Sequence, residues 1–273
     1  MTELNNISTN KALPILNIAR FVAILVAIVT TFLFLAPLIV LLVKLSPSSV
    51  SLAFSSPGAF GPTVISLSSA AVALVVVVII GTPLAWAMAK DLLPAKRLFE
   101  LALTLPLLTP PLVIGLLLVF MIGPLSFVGK MLGQIHLSAT NTFLALVIAE
   151  VYECAPYYIL GAVAAFSAVD TNIEQAAALL GETPLGVALH ISLPLASPGL
   201  ASALSMGWAR AVGAFGAVII IAYHPYGLPM QIWTTLEETG LSSALPFALI
   251  LLLVALPLPI AAYTWGSRAS SKF

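Results

Sequence analysis

Apolar residues gather along this chain into long runs, and charges, serines, prolines and glycines collect in the short stretches between them. The first run extends from Phe21 to Leu45, after a polar, Asn-rich stretch over 1–18 that carries Lys11, with Arg20 at its edge. A secretory signal has an apolar core of only about 7–15 residues. This run is too long for that and predicts a first membrane helix, followed by a Ser/Pro/Gly-rich loop over 46–60. A second run, Thr63 to Met88, contains the β-branched stretch Val75 to Ile80. In water that stretch suggests a strand, but in lipid the backbone must satisfy its own hydrogen bonds, so a helix is expected.

The third run, Leu101 to Ile122, contains Pro106, Pro110 and Pro111. Each proline removes a backbone donor, so this span should be kinked or broken. A loop is expected over 123–138, then a fourth span from Thr142 to Val169, a polar interruption from Asp170 to Pro194, and a fifth span from Leu195 to Ala222. In the fifth, Gly199, Ala203, Gly207 and Ala211 recur at every fourth position, the spacing that lets membrane helices approach closely. An aromatic loop over 223–240 precedes a sixth span from Leu245 to Trp265 that carries Pro257 and Pro259.

Composition fixes the solvent. The chain is 61% hydrophobic and 7% charged, against about 45–50% and 25% in soluble domains. With a formal net charge of zero, no global field suggests nucleic acid. The single cysteine, Cys154, excludes an intrachain disulfide framework and reads as a packing residue. His136, His190 and His224 are too dispersed for a metal centre. Lys and Arg concentrate in cytoplasmic segments. A cytoplasmic N-terminus places Lys11, Arg20, Lys90, Lys96, Arg97, Arg268 and Lys272 inside, against Lys44 and Lys130 outside, and it puts 170–194 in the cytoplasm.

The interruption, DTNIEQAAALLGETPLGVALHISLP, has the form helix, turn, helix. Asp170, Thr171 or Asn172 can cap the first helix, Gly181 can end it in a left-handed conformation, Thr183 can cap the second with Pro184 at its first position, and Pro194 can close the unit. Gln175-Ala176-Ala177, then Gly181, then Ile191-x-Leu193-Pro194 resembles the EAA signature of type I ABC importer permeases, E-A-A-x-x-x-G-x(9)-I-x-L-P, with Gln175 in the Glu position and Glu174 one place earlier. The resemblance implies coupling helices that sit in a groove of an ATP-binding subunit, with Glu174 or Gln175 making the polar contact. It also implies an all-α membrane protein of six transmembrane helices, with the permease core over 60–266, a first helix and external loop over 19–59, and cytoplasmic tails over 1–18 and 267–273.

Leu105-Pro106-Leu107-Leu108-Thr109-Pro110-Pro111-Leu112-Val113-Ile114-Gly115 resembles the L-P-L-x-x-P-P-x-V-x-G stretch of molybdate-type permeases and their tungstate and sulfate relatives. Trp208 to Ala217 is similar to their F-A-R-A-x-G-E-F-G-A segment, with Ala214 at the acidic position. Tyr223-His224-Pro225 resembles their Y-x-P extracytoplasmic segment, which implies contact with the substrate-binding protein. Arg210 lies deep in the fifth span, about 20 Å of helix rise from Tyr223. Its guanidinium either helps an oxyanion across the path or gate, alongside Pro110 and Pro111, or forms a structural salt bridge to Glu150 or Glu153. Those two glutamates share one helix face and could instead serve an intramembrane cation or line a water-filled vestibule.

No G-x-x-x-x-G-K-[ST] motif occurs. The resemblance therefore implies a non-catalytic permease that binds no cofactor, a homodimer served by a separate ATP-binding subunit that uses ATP and Mg, and an extracytoplasmic oxyanion-binding protein. Molybdate or tungstate is the expected cargo, with sulfate or thiosulfate the alternative. An ion-coupled secondary transporter would prefer titratable groups along its path and often an internal repeat; no repeat is apparent, and Glu150 and Glu153 are the groups that keep this alternative open. An intramembrane enzyme lacks any recognisable catalytic set.

Overall fold

The computed structural model describes residues 2–48, 50–51 and 57–270, and the side chains of 19–48, 50–51 and 58–264. Lys272 lies outside the described residues, as do the side chains of Lys11 and Arg268. No strand occurs among the described residues. The backbone divides into two units, Met1–Val50 and Ser51–Phe273.

The first unit is essentially one helix, α1 (Thr2–Lys44). Its apolar part, Ala19–Lys44, is long enough to cross a membrane. Its large side chains are exposed, including Phe21, Phe32, Leu33 and Phe34, as suits contact with lipid.

In the second unit, α2 (Pro57–Ala89) confirms that the β-branched run is helical. The third span is broken as its prolines require: α3 (Lys96–Leu108) and α4 (Pro111–Ile122) meet at 115° across Thr109 and Pro110. Pro106 is accommodated inside α3, and the break falls at the consecutive prolines. The 123–138 stretch is not simply a loop. It carries α5 (Phe127–Gln134), started by Ser126, whose hydroxyl accepts from the Gly129 N–H at 2.9 Å. Next come α6 (Phe143–Ser167), capped by Thr142, and α7 (Thr171–Leu179). The fifth span, α8 (Pro184–Val212), starts earlier than its apolar run and is continuous through Pro194. It ends at Gly213, well short of Ala222, and only a single turn, α9 (Val218–Ile221), follows. Helical rise therefore does not measure the distance from Arg210 to Tyr223. The aromatic stretch contains α10 (Leu228–Thr239), and the sixth span is interrupted between α11 (Leu241–Ala255) and α12 (Pro257–Ser270). Among the described residues, five helices are long and apolar enough to cross a membrane, or six with the bent pair counted as one span.

Helices α2, α6 and α8 form the packed centre. Its buried residues are mostly small, among them Ala70, Ala85, Cys154, Ala162, Ala203 and Ala211. The fourfold small-residue spacing of α8 explains why. A Cβ added at Gly199 would lie 2.6 Å from the Ala165 Cβ, and one at Gly161 would lie 2.8 Å from that of Ala203, so α6 and α8 touch nearly backbone to backbone. The indole of Trp208 donates to the Val254 carbonyl at 3.2 Å, satisfying one of the carbonyls left open where α11 stops before Pro257.

At the other junction, a Cβ on Gly115 would stand 2.8 Å from the Ala217 carbonyl oxygen, and one on Gly216 would stand 2.5 Å from the Pro111 Cβ. Gly115→Ala forces a backbone shift at this crossing. Overpacking of this kind costs about 1–3 kcal/mol, so the variant should unfold in detergent at a temperature several degrees lower than the parent. An unchanged unfolding temperature would show that α4 and the 213–217 segment are not in tight contact.

Candidate functional site

Two polar constellations stand out in a chain this apolar. The first is the helix-turn-helix over 170–194. Asp170 starts α7, its Oδ1 accepting from the Asn172 backbone N–H at 2.9 Å. The helix ends in a Schellman turn: the Glu182 N–H donates to the Ala177 carbonyl at 3.1 Å and the Gly181 N–H to the Ala178 carbonyl at 3.0 Å, with Gly181 at φ +95°. Thr183 then caps α8, accepting from the Gly186 N–H at 3.1 Å, and Pro184 takes the first helical position, where its missing donor costs nothing. Caps of this type contribute about 1 kcal/mol each.

Pro194 does not close the unit, contrary to its position in the pattern. The backbone widens into a π-helical turn over Val187–Ser192 immediately before it. Such a turn relieves the conflict between a proline and the preceding carbonyls, and it carries Ser192 inward, where it is fully buried. The Ser192 hydroxyl reaches both the Val187 carbonyl at 3.3 Å and Glu174 Oε1 at 2.6 Å.

Glu174 and Gln175 face opposite ways. Glu174 is buried, with Oε1 accepting from Ser192 and Oε2 paired with Lys90 Nζ at 2.6 Å, while Gln175 is exposed. Lys90 also reaches the Phe166 carbonyl at 3.5 Å. Ala176 is exposed, Ala177, Ile191 and Leu193 are partly buried, and Pro194 is exposed. The tip of the unit is bare: Leu179 is 89%, Leu180 90% and Leu185 68% exposed. These three leucines form an exposed apolar surface on a capped, anchored turn. Lys90 and Ser192 lie 84 and 18 positions from Glu174, and no sequence pattern links them to it.

The second constellation lies within the helix bundle. Arg210 Nη2 is 2.7 Å from Glu153 Oε2, and Glu153 Oε1 accepts from the Ala217 N–H at 3.2 Å. One carboxylate thus neutralises the guanidinium and also holds the first turn of α9 after the break at Gly213. The Glu153 side chain is fully buried and that of Arg210 is 30% exposed, with its guanidinium carbon 5.9 Å from the Tyr157 ring centre. Glu150, one turn away, is not the partner of Arg210; its Oε1 accepts from the Ser69 hydroxyl at 2.8 Å. Pro111 reaches the same region by packing against Gly216, whereas Pro110 is exposed. The chemistry on offer is a partly exposed cation with one edge fixed by a buried carboxylate. With its charge balanced by Glu153, it can still offer N–H donors of fixed geometry to an anion while its anchor stays in place. Among the described residues no group of His, Cys, Asp or Glu has a metal-binding arrangement.

At the far end of α2, the Ser66 hydroxyl accepts from the Leu228 N–H at 2.8 Å. This bond anchors the aromatic segment, in which the His224 ring stacks on Tyr226 with centres 4.2 Å apart and Tyr223 packs edge-on at 5.3 Å.

Comparison with known proteins agrees with this layout. Residues 81–268 match the family model described as binding-protein-dependent transport system inner membrane component. A probable molybdenum ABC transporter permease protein of Haloferax volcanii is 32% identical over 250 residues, 91% of each chain. A putative molybdenum transport system permease protein of Bacillus subtilis is 35% identical over 199 residues, 71% of this chain and 86% of that protein. A probable sulfate transport system permease protein of Nephroselmis olivacea is 27% identical, covering 87% of this chain and 86% of its own length. Among solved structures, a bacterial ABC transporter that imports alginate superposes with a TM-score of 0.69 at 17% identity, covering 90% of this chain and 94% of that one, a likeness of fold.

Proposed function

The chain belongs to the binding-protein-dependent transport system inner membrane component family, and on that premise we propose that it is the permease of an oxyanion importer, carrying molybdate or tungstate. The observation that carries this reading is the anchored helix-turn-helix with its bare leucine tip, in a chain without a nucleotide-binding motif of its own. A separate ATP-binding subunit receives that tip in the cytoplasm, and Gln175 is the polar residue that faces it. Two copies of the permease supply two such tips. ATP binding draws the tips together, and α2, α6 and α8, packed on small residues, move with them. The N- and C-termini lie in the cytoplasm, and the Tyr223–Tyr226 segment faces an extracytoplasmic binding protein.

Relatives named for molybdenum, together with one named for molybdate and tungstate from Thermococcus kodakarensis, support the cargo. The sulfate relative favours a second reading, sulfate or thiosulfate transport. All these cargoes are tetrahedral oxyanions, for which the exposed edge of Arg210 offers donors of fixed geometry.

Reconstitution with the ATP-binding subunit and the binding protein in proteoliposomes tests both points. ATP should drive uptake of labelled molybdate, and excess tungstate should suppress it more strongly than excess sulfate. Uptake driven by an ion gradient in liposomes containing the permease alone would overturn the importer assignment. Stronger suppression by sulfate would reassign the cargo.

A further inference from the structure

Glu174 sits where three segments meet. Lys90 follows directly on the last turn of α2, Glu174 lies in the first half of α7, and Ser192 ends the π-helical turn of α8. Both carboxylate oxygens are held at 2.6 Å, and the side chain is buried although α7 is otherwise largely exposed. The Lys90 ammonium makes a further contact, to the Phe166 carbonyl near the end of α6. The carboxylate therefore ties α7 directly to α2 and α8, and through the Lys90 ammonium to the end of α6. The rest of α7 offers little to hold it: Ile173 is about half exposed and Leu179 is almost fully exposed, and its own hydrogen bonds run along its axis. A short helix fixed only at its two chain ends would tilt when pushed, whereas a buried ion pair with a second hydrogen bond resists tilting, because separating the partners leaves a charge uncompensated.

We propose that Glu174 is the positioning residue of the coupling unit: held by Lys90 and Ser192, it makes α7 move as one body with α2, α6 and α8, so that force applied at the leucine tip reaches the membrane helices. This rests on the importer reading above and adds a role for Glu174 that requires no contact with the ATP-binding subunit. The π-helical turn is part of the device, since it brings the Ser192 hydroxyl to the carboxylate.

The test uses the complete transporter in proteoliposomes, comparing Glu174→Ala, Lys90→Met, Ser192→Ala and the exchanged pair Lys90→Glu with Glu174→Lys. Three quantities are measured: ATP-binding subunit co-purified per permease, ATP hydrolysed, and molybdate imported. Glu174→Ala and Lys90→Met should retain the ATP-binding subunit at the parental ratio while molybdate imported per ATP falls about tenfold, within the roughly 5–150-fold range of coupling between distant sites. The exchanged pair should recover a large part of that ratio. Ser192→Ala, which removes one hydrogen bond and no charge, should lower the ratio in the same direction by a smaller factor and keeps the test valid if the charge variants fold poorly. An unchanged ratio in Ser192→Ala and Lys90→Met would overturn the proposal, as would loss of the ATP-binding subunit from a folded Glu174→Ala permease. Failure of the parental permease to capture any ATP-binding subunit would instead sink the importer reading itself.

Discussion

Gly181→Asp is expected to abolish most ATP-driven uptake, by about tenfold or more, while the permease still inserts in the membrane at a normal level. Three penalties coincide at this position. Gly181 has φ +95°, a conformation that costs an L-residue about 1–2 kcal/mol. A new carboxylate there would face the negative end of the α7 dipole. It would also place a charge beside Leu179 and Leu180, at the surface proposed to be desolvated by the ATP-binding subunit. The strain alone is worth about a tenfold change in population, since each 1.4 kcal/mol or so is a factor of ten. Nothing lies within 4 Å of a Cβ added at this position, so a steric clash plays no part. Gly181→Asn isolates the charge: it meets the same left-handed backbone as aspartate but carries no charge, and it should retain clearly more uptake than the aspartate variant. Co-purification of the ATP-binding subunit is the readout, and capture of the subunit by the aspartate variant at the parental level would remove the turn from the docking surface.

The second large effect is expected at Arg210. Arg210→Ala leaves the fully buried Glu153 with only the Ala217 N–H. Breaking a buried pair by deleting one partner costs about 3–5 kcal/mol. Uptake should fall close to background, and further than co-purification of the ATP-binding subunit, because the damage lies away from α7. Arg210→Lys keeps the charge but loses the fork, and should be intermediate. The decisive variant combines Arg210→Met with Glu153→Gln, which removes both charges and should restore folding without restoring uptake. Normal uptake by that double variant would show that the guanidinium serves only to hold α6 and α8 together.

Much of the fold was legible because lipid imposes simple rules. Length and apolarity located the fourth span within two residues and the C-terminal ends of the first and second, whose helices start earlier, at Thr2 and Pro57, because helix continues through the polar and mixed residues before each apolar run; consecutive prolines located the break at Thr109–Pro110. The small-residue spacing on α8 foretold close helix packing, and the structure shows the partner to be α6, met at Gly199 and Ala203. Elements shorter than a span escaped, because α5 and α10 lie in mixed-polarity stretches where no long apolar run announces them. The end of the fifth span was misjudged because Gly213 to Ala217 is as apolar as a helix, whereas the helix is capped at Gly213 and the segment beyond it is held by a tertiary bond, the Ala217 N–H donating to the Glu153 carboxylate. The local form of the 170–194 segment was readable at its caps and turn, since caps and a left-handed glycine are local features. Pro194 was misread because a π-helical turn leaves no compositional mark. Which way Glu174 faces depended on Lys90, a partner brought close only by folding.

Accessibility of position 180 tests the central claim most directly. With Cys154, the one native cysteine and a buried one, replaced by alanine, a Leu180→Cys permease can be labelled from either side of sealed vesicles. A membrane-impermeant maleimide should react only from the cytoplasmic side, and the ATP-binding subunit should protect the thiol and be captured there by a short cross-linker. Reaction from the outside, or cytoplasmic labelling that the ATP-binding subunit leaves unchanged, would contradict the account.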